Sequence, residues 1–162
     1  MKRKSIAVAS ITVLIFVILG SVVACSPFVT PCLTASEQNY VATLADHTSS
    51  FAEEWNKITD LLEEPQIESD EWRIDVDTQL ATLRPLYDEA FEIEPPSSMA
   101  NIHDKYTQAM YHFDISTDLI AEGIDTLNAD LLNEAVSDME LGIEDMEETT
   151  RLMDEFIAAR CP

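Results

Sequence analysis

Between residues 33 and 161 the chain carries just two glycines, Gly123 and Gly142, and four prolines, Pro65, Pro85, Pro95 and Pro96. Hairpins need glycine-rich or Asn-Gly turns at short intervals, and this segment has almost nothing from which to make them. What it has instead are apolar positions recurring at intervals of three and four, the stripe of an amphipathic helix. Tyr40, Leu44, His47, Phe51, Trp55, Ile58 and Leu62 form the first stripe. Thr34, with Glu37 three residues later, reads as its capping box. The stretch "EEPQIESD" then interrupts the pattern.

Ser69 is placed to cap a second helix whose first turn holds Asp70 and Glu71, where negative charge meets the positive end of the helix dipole. Trp72, Val76, Leu80, Leu83, Tyr87 and Phe91 mark its buried side. Pro85 inside this stretch removes a backbone donor and frees the carbonyl of Ala81, which predicts a kink or a helix in two pieces. A third stripe starts near Ser98 and takes in Met99, Ile102, Tyr106, Met110, Phe113, Thr117, Ile120, Ile124 and Leu127. The fold-back falls at "TLNAD", with Asn128 as the left-handed exit and Asp130 as the next cap. Leu132, Ala135, Met139, Gly142, Met146, Thr149, Met153 and Phe156 continue to the end. The expected architecture of residues 34–162 is all-α, an antiparallel up-down-up-down four-helix bundle.

Ahead of this domain, Lys2, Arg3 and Lys4 precede an uncharged run from Ile6 to Ala24, the layout of a secretory signal or of a single membrane span. Length alone does not separate the two. Val22, Val23, Ala24 and Cys25 resemble a bacterial lipobox, in which small residues precede a cysteine that is acylated and becomes the first residue after cleavage. The resemblance covers the first 25 residues. It implies that 1–24 are a lipoprotein signal peptide, that Cys25 is lipidated, and that 25–33 form a short tether. The domain is then expected at the cell membrane, lipid-anchored and facing the periplasm or the cell exterior, like the many small bacterial lipoproteins of unassigned function.

With Cys25 lipidated and the domain in an oxidising compartment, Cys32 and Cys161 are the remaining pair, expected as a disulfide that brackets the whole domain. In the chain-entropy treatment such a bridge stabilises the fold by about 4–5 kcal/mol. An even helix count brings the two cysteines to one end. Three or five helices would leave them ~40 Å apart.

Charge narrows the partners. The chain holds nine basic and 31 acidic residues, and loss of Lys2, Arg3 and Lys4 leaves six against 31, a formal charge of −25. That repels nucleic acid and anionic lipid surfaces, so membrane association is expected through the N-terminal lipid alone. Acidic clusters occur at 63–64, 68–71 and 144–148. Their default reading is solvated helix faces; their functional one is loose capture of cations or docking of a basic envelope protein.

Sequence motifs for catalysis are missing. Neither the Glu-x-x-His pairs of di-iron bundles nor a CxxCH haem attachment occurs. Asp75 and Asp77 match the start of a calcium loop, but Leu80 stands where glycine is needed. No enzymatic activity is expected. One alternative is a Cu(I)-type site, since Met139, Met146 and Met153 repeat every seven residues and thioethers suit copper. Antiparallel pairing would set His103 beside Met153 and Met110 beside Met146, making His103, Met110, Met146 and Met153 the candidate ligands. Against it stands the ordinary use of methionine as flexible core filler. His47 reads as a satisfied interior histidine and His112 as exposed.

Overall fold

The computed structural model describes residues 32–161. The signal segment, Cys25 and most of the tether lie outside the described residues. Among the described residues there are four helices, α1 Ala35–Glu63, α2 Asp70–Glu92, α3 Ala100–Asp125 and α4 Ala129–Arg160, with a 3-10 turn, Ser97–Met99, leading into α3. Among the described residues there is no strand, and no helix is long and apolar enough to cross a membrane.

The local signals act where the sequence places them. Thr34 Oγ1 accepts the backbone N–H of Glu37 while the Glu37 carboxylate accepts the N–H of Thr34, a complete capping box. Ser69 caps α2 by accepting the Trp72 N–H. The Trp72 indole in turn donates to the Leu61 carbonyl at 2.9 Å, so one residue ties the exit of α1 to the entry of α2.

Three expectations need correction. α2 runs unbroken from Asp70 to Glu92 through Pro85, so it is not a helix in two pieces. Ala81 and Pro85 are both exposed, which puts the carbonyl freed by the missing donor on the solvent side, where water can satisfy it. Phe91 is 56% exposed, and Ala90 is buried in its place. The three-residue step from Tyr87 reaches Ala90, and α2 ends before another turn can bring Phe91 inward.

The α3–α4 turn differs as well. Leu127, not Asn128, takes the left-handed conformation, with φ 52°, and is largely exposed. The Asn128 N–H reaches the Gly123 carbonyl and the Leu127 N–H that of Ile124, the pair of bonds of a Schellman exit. Asn128 is thereby left to cap α4, its side chain accepting the Asp130 N–H, the role expected of Asp130.

The four helices share one core. Phe113 on α3 is its middle, with ring centroids 5.1 Å from Phe51 and 5.6 Å from Trp55 on α1. On its other side a Cβ added to Gly142 of α4 would stand 3.0 Å from the Phe113 ring. Glycine at 142 is what lets the α4 backbone lie against that ring.

Candidate binding cleft

Several buried polar groups in this core are matched between helices, while the Trp55 indole N–H and one Asp77 carboxylate oxygen have no partner. His47 Nε2 lies 2.8 Å from the Leu86 carbonyl, which can only accept, so Nε2 carries a proton. The hydroxyl of Tyr106 pairs with Nδ1 of the same ring, and Thr48 donates to that hydroxyl. A four-member chain thus runs across α1, α3 and α2, and burial raises the Tyr106 phenol to about 12. His47 is the satisfied interior histidine that its place in the stripe implied. Further along α3, Tyr87 bonds Thr117 at 2.7 Å, and Ser116 donates to the Ala135 carbonyl of α4 at 2.9 Å.

His112 departs from its expected exposure. It is partly buried between α3 and α4, with Nδ1 3.2 Å from Asp138 and Nε2 3.9 Å from Asp145, and Asp145 also holds Lys105 at 3.0 Å. These groups form an inter-helix ion cluster that fastens α3 to α4.

Of the residues considered for copper, the three methionines reach the core. Met110 is fully buried, while Met146 and Met153 pack against the core from its edge. His103 directs Nδ1 to the Tyr40 hydroxyl of α1 at 3.2 Å, and the two rings meet edge-on with centroids 5.9 Å apart. Desolvation lowers the affinity of His103 for a proton. Its hydrogen-bond partner is therefore a tyrosine rather than a methionine. Among the described residues no group of three or more His, Cys, Asp or Glu could hold a metal ion.

Cys32 and Cys161 stand at disulfide distance, Cα atoms 5.4 Å apart across a sequence separation of 129. Beside them Glu37, almost fully buried, gathers three segments. It accepts from Thr34 at the start of α1, from Ser98 Oγ at 2.7 Å ahead of α3, and from Arg160 at the end of α4. The Thr34 N–H first, and then the Ser98 hydroxyl, hold its carboxyl below the usual glutamate range.

Adjoining this end is an open cleft of about 640 Å3 between the first turns of α1 and the α2–α3 joint. Tyr40, Ile93, Pro95 and Pro96 give it apolar surface, Ser36, Asn39 and Thr43 supply polar groups, and Glu89, Glu92 and Glu94 contribute three carboxylates. All three glutamates are exposed. The acidic clusters read from the sequence do not include this rim. The available signal was three glutamates within six residues in a stretch with no basic side chain between Arg84 and Lys105.

Like Glu63 and Glu64, and unlike the acidic run at 144–148, the cleft has no carboxylate in an ion pair among the described residues. In "EDMEE" Asp145 is engaged by Lys105 and Glu148 by Arg151. The six basic residues among the described residues, Lys57, Arg73, Arg84, Lys105, Arg151 and Arg160, are each in an ion pair, and none of these pairs involves Glu89, Glu92 or Glu94. Compared with known proteins, the chain matches no family model, no curated protein and no solved structure.

Proposed function

We propose that this protein is a lipid-anchored, extracytoplasmic interaction module, held at the envelope membrane through Cys25 and presenting an acidic helical domain to a basic partner protein or to cations. The observation that carries the reading is the commitment of every described basic side chain to an internal ion pair. The 31 acidic residues therefore have no further positive charge to draw on within the domain, and neutralisation must come from outside. The polar interior supports an interaction role without catalysis, since His47 and His103 are engaged by Tyr106 and Tyr40 across the core.

The reading includes an up-down-up-down bundle closed by a Cys32–Cys161 disulfide. It is supported by the order of inter-helix pairs: Leu61 with Trp72 and His47 with Leu86 between α1 and α2, then Arg84 with Asp118 and Tyr87 with Thr117, then His112 with Asp138 and Lys105 with Asp145. In each of these helix pairs rising numbers on one helix meet falling numbers on the next. The nearness of the two cysteines agrees with an even helix count.

Two measurements test it. Cells fed labelled palmitate should incorporate label into the wild-type chain and not into Cys25→Ser, and the wild-type protein should sediment with membranes. An unlabelled protein in the soluble fraction would remove the anchor. The full-length protein in neutral detergent should bind a hexalysine peptide with an affinity that falls steeply from 20 to 300 mM salt, as exposed charge pairs are screened.

A further inference from the structure

We infer that the cleft lined by Tyr40, Glu89, Glu92, Ile93, Glu94 and Pro96 is a docking site for an extended, lysine- or arginine-bearing segment of a protein partner, an inference that rests on the acidic-module reading above. Charge complementarity carries it. Three exposed carboxylates lie on one short rim, and every described cation is spoken for elsewhere. The apolar surface suits the other half of such side chains, because lysine and arginine lay their aliphatic stems on hydrophobic ground while the charged tip seeks oxygen. Ser36, Asn39 and Thr43 can meet backbone groups of a chain lying across α1.

The cleft is also built to stay in shape. Pro95 and Pro96 fix their own φ angles, and Ile93 at the end of α2 adopts an extended backbone, so the rim loses little freedom when a ligand arrives. Tyr40 is buried and braced by His103 from behind, and the Glu37 knot fixes the first turn of α1 beside it. Its open form fits a chain segment passing over it better than an enclosed small molecule. Ser36 follows Cys32 by four residues, which puts the cleft at the tethered end of the domain. The partner's basic segment is therefore one that lies close to the membrane surface.

The experiment compares two charge-matched variants of the full-length protein in neutral detergent, titrated with fluorescein-labelled hexalysine at 20 mM salt. One is Glu89→Gln/Glu92→Gln/Glu94→Gln at the cleft. The other is Glu140→Gln/Glu144→Gln/Glu147→Gln on exposed positions of α4. All six positions are exposed, and unchanged circular dichroism melts verify that both variants fold. The cleft variant should lose about tenfold more affinity than the α4 variant. Equal losses would overturn the cleft as the docking site while leaving the acidic-module reading in place. Failure of the wild-type protein to bind hexalysine at all would remove both.

Discussion

α3 meets its neighbours in two contrasting ways. Toward α4 the contact is made with small residues: Gly142 lies against Phe113, Gly123 against the Leu132 side chain and backbone, and the Ser116 hydroxyl bonds the Ala135 carbonyl directly. Toward α1 it is made with rings, Tyr40 on His103, His47 on Tyr106, and Phe51 and Trp55 on Phe113. Close backbones gain dispersion contact and have no room to adapt. Ring-lined contacts stand further off and depend on directional hydrogen bonds between buried polar groups. The two seams should therefore fail differently, the first by crowding and the second by loss of a partner.

Phe113 belongs to both seams, so Phe113→Ala should have the largest effect, a loss of about 3–5 kcal/mol of unfolding free energy by urea denaturation. A loss below about 1 kcal/mol would mean that the two seams do not share this residue. His47→Leu probes the ring side alone. It takes one partner from the Tyr106 hydroxyl, leaving only the long bond from Thr48, and the side-chain donor from the Leu86 carbonyl, and should cost about 1–3 kcal/mol, partly recovered when Tyr106→Phe is added. No recovery in that double-mutant cycle would show the bond to be energetically silent.

Crowding is tested at Gly142. Valine there should cost about 1–3 kcal/mol by forcing the Phe113 ring aside, whereas alanine should change stability by less than about 1 kcal/mol, because improved helix propensity offsets the tighter contact. Equal tolerance of both would deny the close approach. At the hinge of that seam, Leu127→Gly should stabilise the fold by about 1 kcal/mol, since glycine adopts the φ of 52° without the clash a leucine side chain suffers.

Acidity should produce the gentlest change. Burial raises the carboxyls of Asp77 and Asp114, whose native forms therefore hold protons more tightly than the unfolded chain. That stabilises the fold as pH drops through these raised native values toward the unfolded aspartate value of about 3.9. Glu37 works in the opposite sense, since its lowered carboxyl contributes above the unfolded value and the contribution is lost as pH falls through the folded one. The melting temperature should accordingly pass through a maximum on the acid side of neutrality. A melting temperature that falls steadily from pH 7.5 would contradict the assignment.

Much of this fold is legible along the chain because its determinants are local. The Thr34–Glu37 box, the Ser69 cap and the stripes of α1 and α3 are sequence patterns of three and four residues, and apart from Leu127, exposed beyond the end of α3, the chain obeys them. Misreadings arise where neighbouring residues compete for one backbone position, as Leu127 and Asn128 do at the exit of α3, or Ala90 and Phe91 near the end of α2. Others arise where the deciding atoms sit on another helix. His112 finds Asp138 and Asp145 on α4, and His103 finds Tyr40 on α1. The cleft belongs to this second kind. It forms where the first turns of α1 pass the Glu-rich end of α2, a proximity that no spacing within one helix encodes.

The Glu37 knot has a topological consequence. With the Cα atoms of Cys32 and Cys161 5.4 Å apart, the domain is nearly a closed ring of chain whose opening lies at that point only by accident of synthesis. A linker of a few residues could join those ends, and new termini could be cut at Leu127, the one non-glycine residue with positive φ among the described residues. Such a circular permutant would keep every helix and exchange a strained turn for free ends. It would also move the chain ends, and with them the proposed anchor, to the α3–α4 turn, away from the cleft.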